Sequence, residues 1–136
     1  MNDREVIEQV RSRPGLYGFE GSYENVHMFL VGFNVARSGG LMRGFTEWMV
    51  VRKGECTSFG WQALVLDEAF PDLQPMGWNK LGQLTPEQQQ EAVDLLLSLL
   101  LEFLAMRDDA HGPKLAHMYA KYYAMYAAMP ERGSEH

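Results

Sequence analysis

Cysteine is almost absent. Cys56 stands alone in 136 residues, so no internal disulfide can form and no pair of thiols can share a redox step. Basic residues are scarce too. With 12 Lys and Arg against 18 Asp and Glu, the chain has few cations with which to displace counterions from a phosphate backbone, which argues against nucleic acid as ligand. The longest apolar run, "VDLLLSLLLEFLAM", covers 14 residues and contains Asp94, Ser98 and Glu102. A membrane-spanning helix needs about 20 mostly apolar residues, so none is expected. Walker loops, Gly-x-Ser-x-Gly and His-Glu-x-x-His are all missing, and with them the phosphate cradle, the nucleophile elbow and the paired zinc ligands that those spacings build.

What is there reads as one globular domain. Hydrophobic residues make up 46% and charged residues 22%, and no Pro- or Ser-rich linker or repeat divides the chain. A single helical domain is expected over residues 1–129, with 130–136 a flexible C-terminal tail. The opening "MNDREVIEQV" is acidic and amphipathic where a secretory leader would be basic and then apolar. Together with the lone thiol it points to the cytoplasm.

The periodicities are helical. Val6, Ile7 and Val10 mark a helix over 3–13 behind Asn2 or Asp3, and Val26, Phe29, Leu30 and Phe33 mark a second over 22–38 behind Ser22. "GFTEWMVVRKG" suits either a helix or a strand, and the shared face of Phe45, Trp48 and Met49 selects helix. A further helix is expected to begin at Thr57 or Ser58 and to close at Pro71, followed by a loop from Asp72 to Leu84. The clearest element spans 86–106: Thr85 caps, Pro86 occupies the first position, and Gln88 completes a Thr-x-x-Gln capping box. Its polar stripe of Asp94, Ser98 and Glu102 is narrow, so this Leu-rich helix should be central. The last helix, 113–129, aligns Tyr119, Tyr122, Tyr123 and Tyr126, a face suited to the core or to an interface. The fold class is therefore all-α, a compact bundle of about five to six helices.

Catalytic and metal chemistry finds little support. Asp108, Asp109, His111 and His117 cluster in sequence, but their spacing matches no recognised metal site. Cys56 has Glu55 beside it, which disfavours a thiolate nucleophile. No cofactor is implied, and an enzyme is not expected.

Charge is distributed unevenly. Residues 1–53 carry seven Lys and Arg against six Asp and Glu, a balance of +1, whereas residues 54–136 carry five against twelve, a balance of −7. Glu55, Asp67, Glu68 and Asp72 lie close to Phe59, Trp61, Phe70 and Trp78. Acids that steer approach and aromatics that anchor contact suit a basic protein partner, with Glu55, Asp67, Glu68, Asp72 and Trp78 as its binding residues. The same pattern also suits a core of Trp61 and Phe70 beneath a solvated acidic face.

Two resemblances bear on function. Arg13-Pro14-Gly15-Leu16-Tyr17-Gly18, followed by a helix, resembles the start of the ATPase domain of DNA gyrase B. There the helix carries a glutamate that activates water and an asparagine that holds magnesium. Asn34 falls on the asparagine, but Leu30 occupies the place of the glutamate and cannot accept a proton. No adenine pocket or phosphate lid follows, so ATPase activity is not expected. The first half of the chain also resembles bacterial immunity proteins of contact-dependent and polymorphic toxin systems, through Arg13 to Gly18, Phe29 to Phe33, Phe45 to Met49, and Trp61. That resemblance implies stoichiometric neutralisation of a cognate toxin. If the toxin is a nuclease, its substrate surface is basic and complements the acidic half. The rival expectation is a homodimer or larger self-assembly joined through the Leu-rich and Tyr-rich helices.

Overall fold

The computed structural model describes residues 2–13, 22–74, 77–109 and 113–128. Residues 14–18 of the Arg-Pro-Gly-x-Tyr-Gly stretch and the expected tail over 130–136 lie outside them. Among the described residues the fold is all-α, with six α-helices, one 3-10 helix and no strand. The count exceeds the five to six expected because part of the stretch read as a loop is the 3-10 helix Gly77–Gln83.

The first two helices carry the caps their sequences predict. In α1 (Asp3–Ser12) the Asn2 side chain accepts the Glu5 N–H at 2.9 Å. In α2 (Tyr23–Ala36) the Ser22 hydroxyl accepts from Asn25. Such a cap satisfies one of the donors a helix start leaves unpaired, and is worth about 1 kcal/mol. The ambiguous segment is helical, α3 (Phe45–Lys53), and it is bounded by Gly44 and Gly54 at φ of 90° and 80°. Gly44 cannot be exchanged freely, since a Cβ there would lie 3.2 Å from the Phe103 ring and 3.0 Å from the Tyr119 hydroxyl.

The start of α4 (Trp61–Ala69) differs from expectation. Neither Thr57 nor Ser58 caps it: the helix begins at Trp61 behind Gly60, which provides no side-chain cap. Thr57 instead accepts the Phe59 N–H in a local turn at 3.1 Å, a competing use of a short hydroxyl side chain. The first amide of α4 is satisfied from another helix, with the Trp61 N–H donating to Thr46 Oγ1 at 3.2 Å.

The long helix α5 (Pro86–Arg107) carries the complete capping box, with the Thr85 hydroxyl accepting from the Gln88 N–H and the Gln88 side chain from the Thr85 N–H. It packs against α1, α2, α3, α4 and the final helix α6 (Lys114–Ala127). Ala92, Val93, Leu96, Leu97, Leu99, Leu100, Phe103 and Leu104 are buried, while Asp94, Ser98 and Glu102 face solvent. Its leucine face is therefore mostly core, with Leu95 and Leu101 partly buried at its margin. The tyrosine face of α6 divides. Tyr126 is half-buried and donates to the Thr57 carbonyl at 2.8 Å, whereas Tyr123 is 65% exposed.

Phe45 joins the layers, with ring centroids 5.9, 5.8 and 5.5 Å from Trp48, Trp61 and Phe103. No helix, among the described residues, is long and apolar enough to cross a membrane.

Replacing Leu100 by Ala should cost about 2–5 kcal/mol, because the cavity left at the centre of α5 cannot be filled by water. Glu102→Ala, on the solvent face of the same helix, should change stability by less than about 0.5 kcal/mol. Urea unfolding of both variants measures the contrast.

Candidate partner-binding site

The acidic residues expected to meet a partner have separate fates. Asp67 is 6% exposed. Its Oδ1 accepts the Gly77 N–H at 2.6 Å and the Lys80 ammonium at 2.8 Å, and the Lys80 side chain is itself fully buried. Asp67 is thus an internal group and not a partner-binding residue. The physical reason is that a carboxylate cannot be buried without partners, and Lys80 supplies one from thirteen residues away. Glu68 remains at the surface, but it is engaged by Arg52 through two hydrogen bonds of 2.7 and 3.2 Å. That hydrogen bond is also the main reason the Arg52 pKa is raised. Glu55 and Asp72 are exposed.

Trp78 occupies a different setting. The 3-10 helix that carries it is hung from α4 by the Asp67 carboxylate, which places Trp78 and Asn79 opposite Phe59, Gly60 and Gln62 across a cleft of about 460 Å³. Phe59 and Trp78 are 39% and 38% exposed. Phe59 lies against Gly77, where φ is 75° and a Cβ would stand 3.1 Å from the ring. The back wall comes from α2. There the His27 imidazole sits 5.4 Å from the Trp61 ring and 5.0 Å from the Trp78 ring, with both nitrogens buried and without a hydrogen-bond partner. Desolvation by this aromatic surround lowers the His27 pKa, against a smaller opposing influence from Glu24. Tyr23, one turn earlier, is fully buried and donates its hydroxyl to the Gln62 carbonyl at 2.8 Å, joining α2 to α4 beneath the cleft. Burial pushes its phenol pKa far up.

Among the described residues no Lys or Arg lines this cleft. Cations collect elsewhere: a second cleft, of about 420 Å³ between α3, α5 and α6, presents Arg52, Lys114, His117 and Lys121 alongside the carboxylate of Glu102. The acidic half of the sequence therefore does not become a uniformly acidic half of the surface. A third exposed feature is apolar. Met28, Val31 and Val35 of α2 are 61%, 38% and 72% exposed, and Gly32 beside them faces open space.

Of the other groups weighed for chemistry, Cys56 is half-buried with its Sγ toward the Met125 carbonyl at 3.5 Å, and His111 lies outside the described residues. Among the described residues no cluster of three His, Cys, Asp or Glu side chains could hold a metal. His27, Gln62, Asn79 and Lys80 carry no sequence signal of their role, because each acquires it only from a neighbour distant along the chain. Compared with protein-family models, curated proteins and solved structures, the chain matches none.

Two outcomes test this geometry. Lys80→Met strands the buried Asp67 carboxylate and should cost about 3–5 kcal/mol, whereas Asp67→Asn with Lys80→Met keeps an acceptor for Gly77, removes both charges and should recover part of the loss; guanidinium unfolding compares them. For His27, a lowered folded pKa means that the unfolded chain binds the proton more readily. Its contribution is therefore complete above the unfolded value of about 6.5 and is lost as pH falls through that value toward the folded one. Thermal melts from pH 7.5 to 5 should fall more steeply for wild type than for His27→Gln.

Proposed function

We propose that the protein is an immunity-type binding protein that neutralises a cognate bacterial toxin, of the nuclease class, by stoichiometric association and without chemistry of its own. The single observation that carries this reading is the cleft between α2, α4 and the 3-10 helix, which leaves Phe59 and Trp78 each more than one third exposed above a rigid aromatic floor. Aromatic side chains lose little conformational freedom on binding and remove large areas from water, so an exposed pair in a pre-formed cleft is suited to anchoring a protein. The formal charge of −6 favours encounter with a basic toxin surface. The resemblance of the segments around Phe29 to Phe33, Phe45 to Met49 and Trp61 to immunity proteins agrees with this class. Those positions serve mainly the core, since Leu30, Phe45, Met49 and Trp61 are buried; the cleft adds the surface that such a role requires.

A second reading is self-association, which the exposed apolar stripe of Met28, Val31 and Val35 favours. It adds α2 to the leucine-rich and tyrosine-rich helices as a place for the seam, Tyr123 of the latter being exposed as well. Sedimentation at increasing concentration separates the two: a monomer that binds a toxin domain supports the first, and a dimer that binds none supports the second.

Phe59→Ala and Trp78→Ala should each speed dissociation from the toxin by at least about tenfold, as loss of a buried anchor does, while melting stays close to wild type. Glu55→Lys with Asp72→Lys should instead slow association, more at low salt than at high. Binding kinetics with the toxin domain encoded beside the gene, and survival of cells expressing that domain, are the measurements. Full protection by a folded Phe59→Ala, Trp78→Ala double variant would remove the cleft from the mechanism.

A further inference from the structure

We infer that the cleft accepts an arginine side chain presented by the partner protein. This rests on the binding reading above and names the group that the site recognises. Four observations converge on a planar cation. First, the walls are aromatic: Phe59 and Trp78 are exposed at the rim, with Trp61 behind. Ring faces carry the negative part of the aromatic quadrupole and attract guanidinium groups, which also stack on them.

Second, the polar groups at the edge include oxygens able to accept: the side chains of Ser58, Gln62 and Asn79 line the cleft. A guanidinium offers five N–H donors in a plane and makes use of several acceptors at once. Third, among the described lining residues the ionisable group is His27, whose imidazole lies against two tryptophans without a hydrogen-bond partner, and desolvation there disfavours its charged form. An imidazole without the extra proton does not repel a cation. Fourth, a carboxylate lies nearby. Glu24, one turn before His27 on α2, is exposed and close enough to act on the imidazole, and among the described residues no Lys or Arg lines the cleft to oppose it.

A carboxylate-bearing ligand finds no cation here. An aliphatic side chain would leave the edge oxygens unpaired, at a cost for each that water does not repay once the cleft is filled. An ammonium would satisfy the charge but cannot stack. Arginine meets all four conditions. Of the four carboxylates that the sequence suggested for a basic partner, Asp67 is engaged by Lys80 and Glu68 by Arg52, which leaves Glu55 and Asp72 to steer approach and the aromatic faces to make the contact in the cleft.

The test uses the whole protein and small probes, without the toxin. N-acetyl-argininamide, N-acetyl-citrullinamide, N-acetyl-lysinamide and N-acetyl-leucinamide are titrated at pH 7.5 while the indole N–H signals of Trp78 and Trp61 and the backbone amide of Asn79 are followed by NMR. The arginine probe should shift Trp78 and Asn79 saturably with half-saturation in roughly the low millimolar range, as cation–π contacts plus hydrogen bonds allow. The isosteric but neutral citrulline probe should bind at least about fivefold more weakly. Glu24→Gln should weaken arginine binding several-fold, and Trp78→Ala should abolish the Asn79 shift. Equal responses to arginine and citrulline or leucine, a lysine probe that binds as tightly, or no response up to about 100 mM would each overturn the assignment. If the probes fail while Phe59→Ala still releases the toxin, the arginine inference is wrong and the binding function stands. If arginine binds but no toxin does, the cleft chemistry stands and the toxin reading fails.

Discussion

One buried oxygen atom sets the geometry of the cleft between α2, α4 and the 3-10 helix. Asp67 Oδ1 receives both the Gly77 amide and the Lys80 ammonium, and everything on the 3-10 helix between those donors takes its place from them. A carboxylate and an ammonium removed from water lose several kcal/mol of hydration each, and their attraction repays this only when the geometry holds. That demand makes the pair a poor source of stability and a strict source of position. Trp78 and Asn79 lie inside the bracket formed by Gly77 and Lys80, so the rim of the cleft is positioned by an interaction between groups that are not part of its lining.

Elsewhere the same economy recurs, with polar groups of one helix completing the backbone of another. Thr46 of α3 receives the first amide of α4. Arg107, at the end of α5, donates to the carbonyls of Gly40 and Leu41 at 2.7 and 2.9 Å, which holds the turn between α2 and α3. Asn34 accepts the Met42 amide at 2.9 Å within that turn. At nine residues each, α3 and α4 are too short to persist alone, since helix nucleation costs more than two turns return. They exist because the core and these cross-helix bonds hold them.

This explains which parts of the molecule were legible in the sequence. The capping box of α5 and the 3.6-residue period of α1, α2, α5 and α6 are local, and each was readable to within about two residues. The centrality of α5 was readable as well, because a helix with so narrow a polar stripe has to be surrounded. Thr57 misled: it is a capping residue by type, yet a competing turn to Phe59 holds its hydroxyl, and the helix takes its first partner from Thr46. Asp67 misled for a related reason. Its acidity suggested a surface, and the lysine that neutralises it lies in a glycine-rich stretch that carries no periodic signal. Of the expected binding residues, Trp78 reaches the cleft, while His27, which forms its wall, sits on an apolar helix with nothing in its own neighbourhood to single it out.

The manner in which α6 is attached has an energetic consequence. Only Met118 of its fourteen residues is buried, and its firmest links are the Tyr126 hydroxyl on Thr57 and a longer approach of Tyr119 to Glu47 at 3.5 Å. An element held by two phenols, the Cys56 thiol on the Met125 carbonyl and a shallow apolar strip has less to lose on detaching than α5, whose release would dissolve the core. Detachment of α6 is accordingly expected to cost less than release of α5. The cleft that presents Arg52, Lys114 and Lys121 draws two of those cations from α6, so it exists only while that helix is docked.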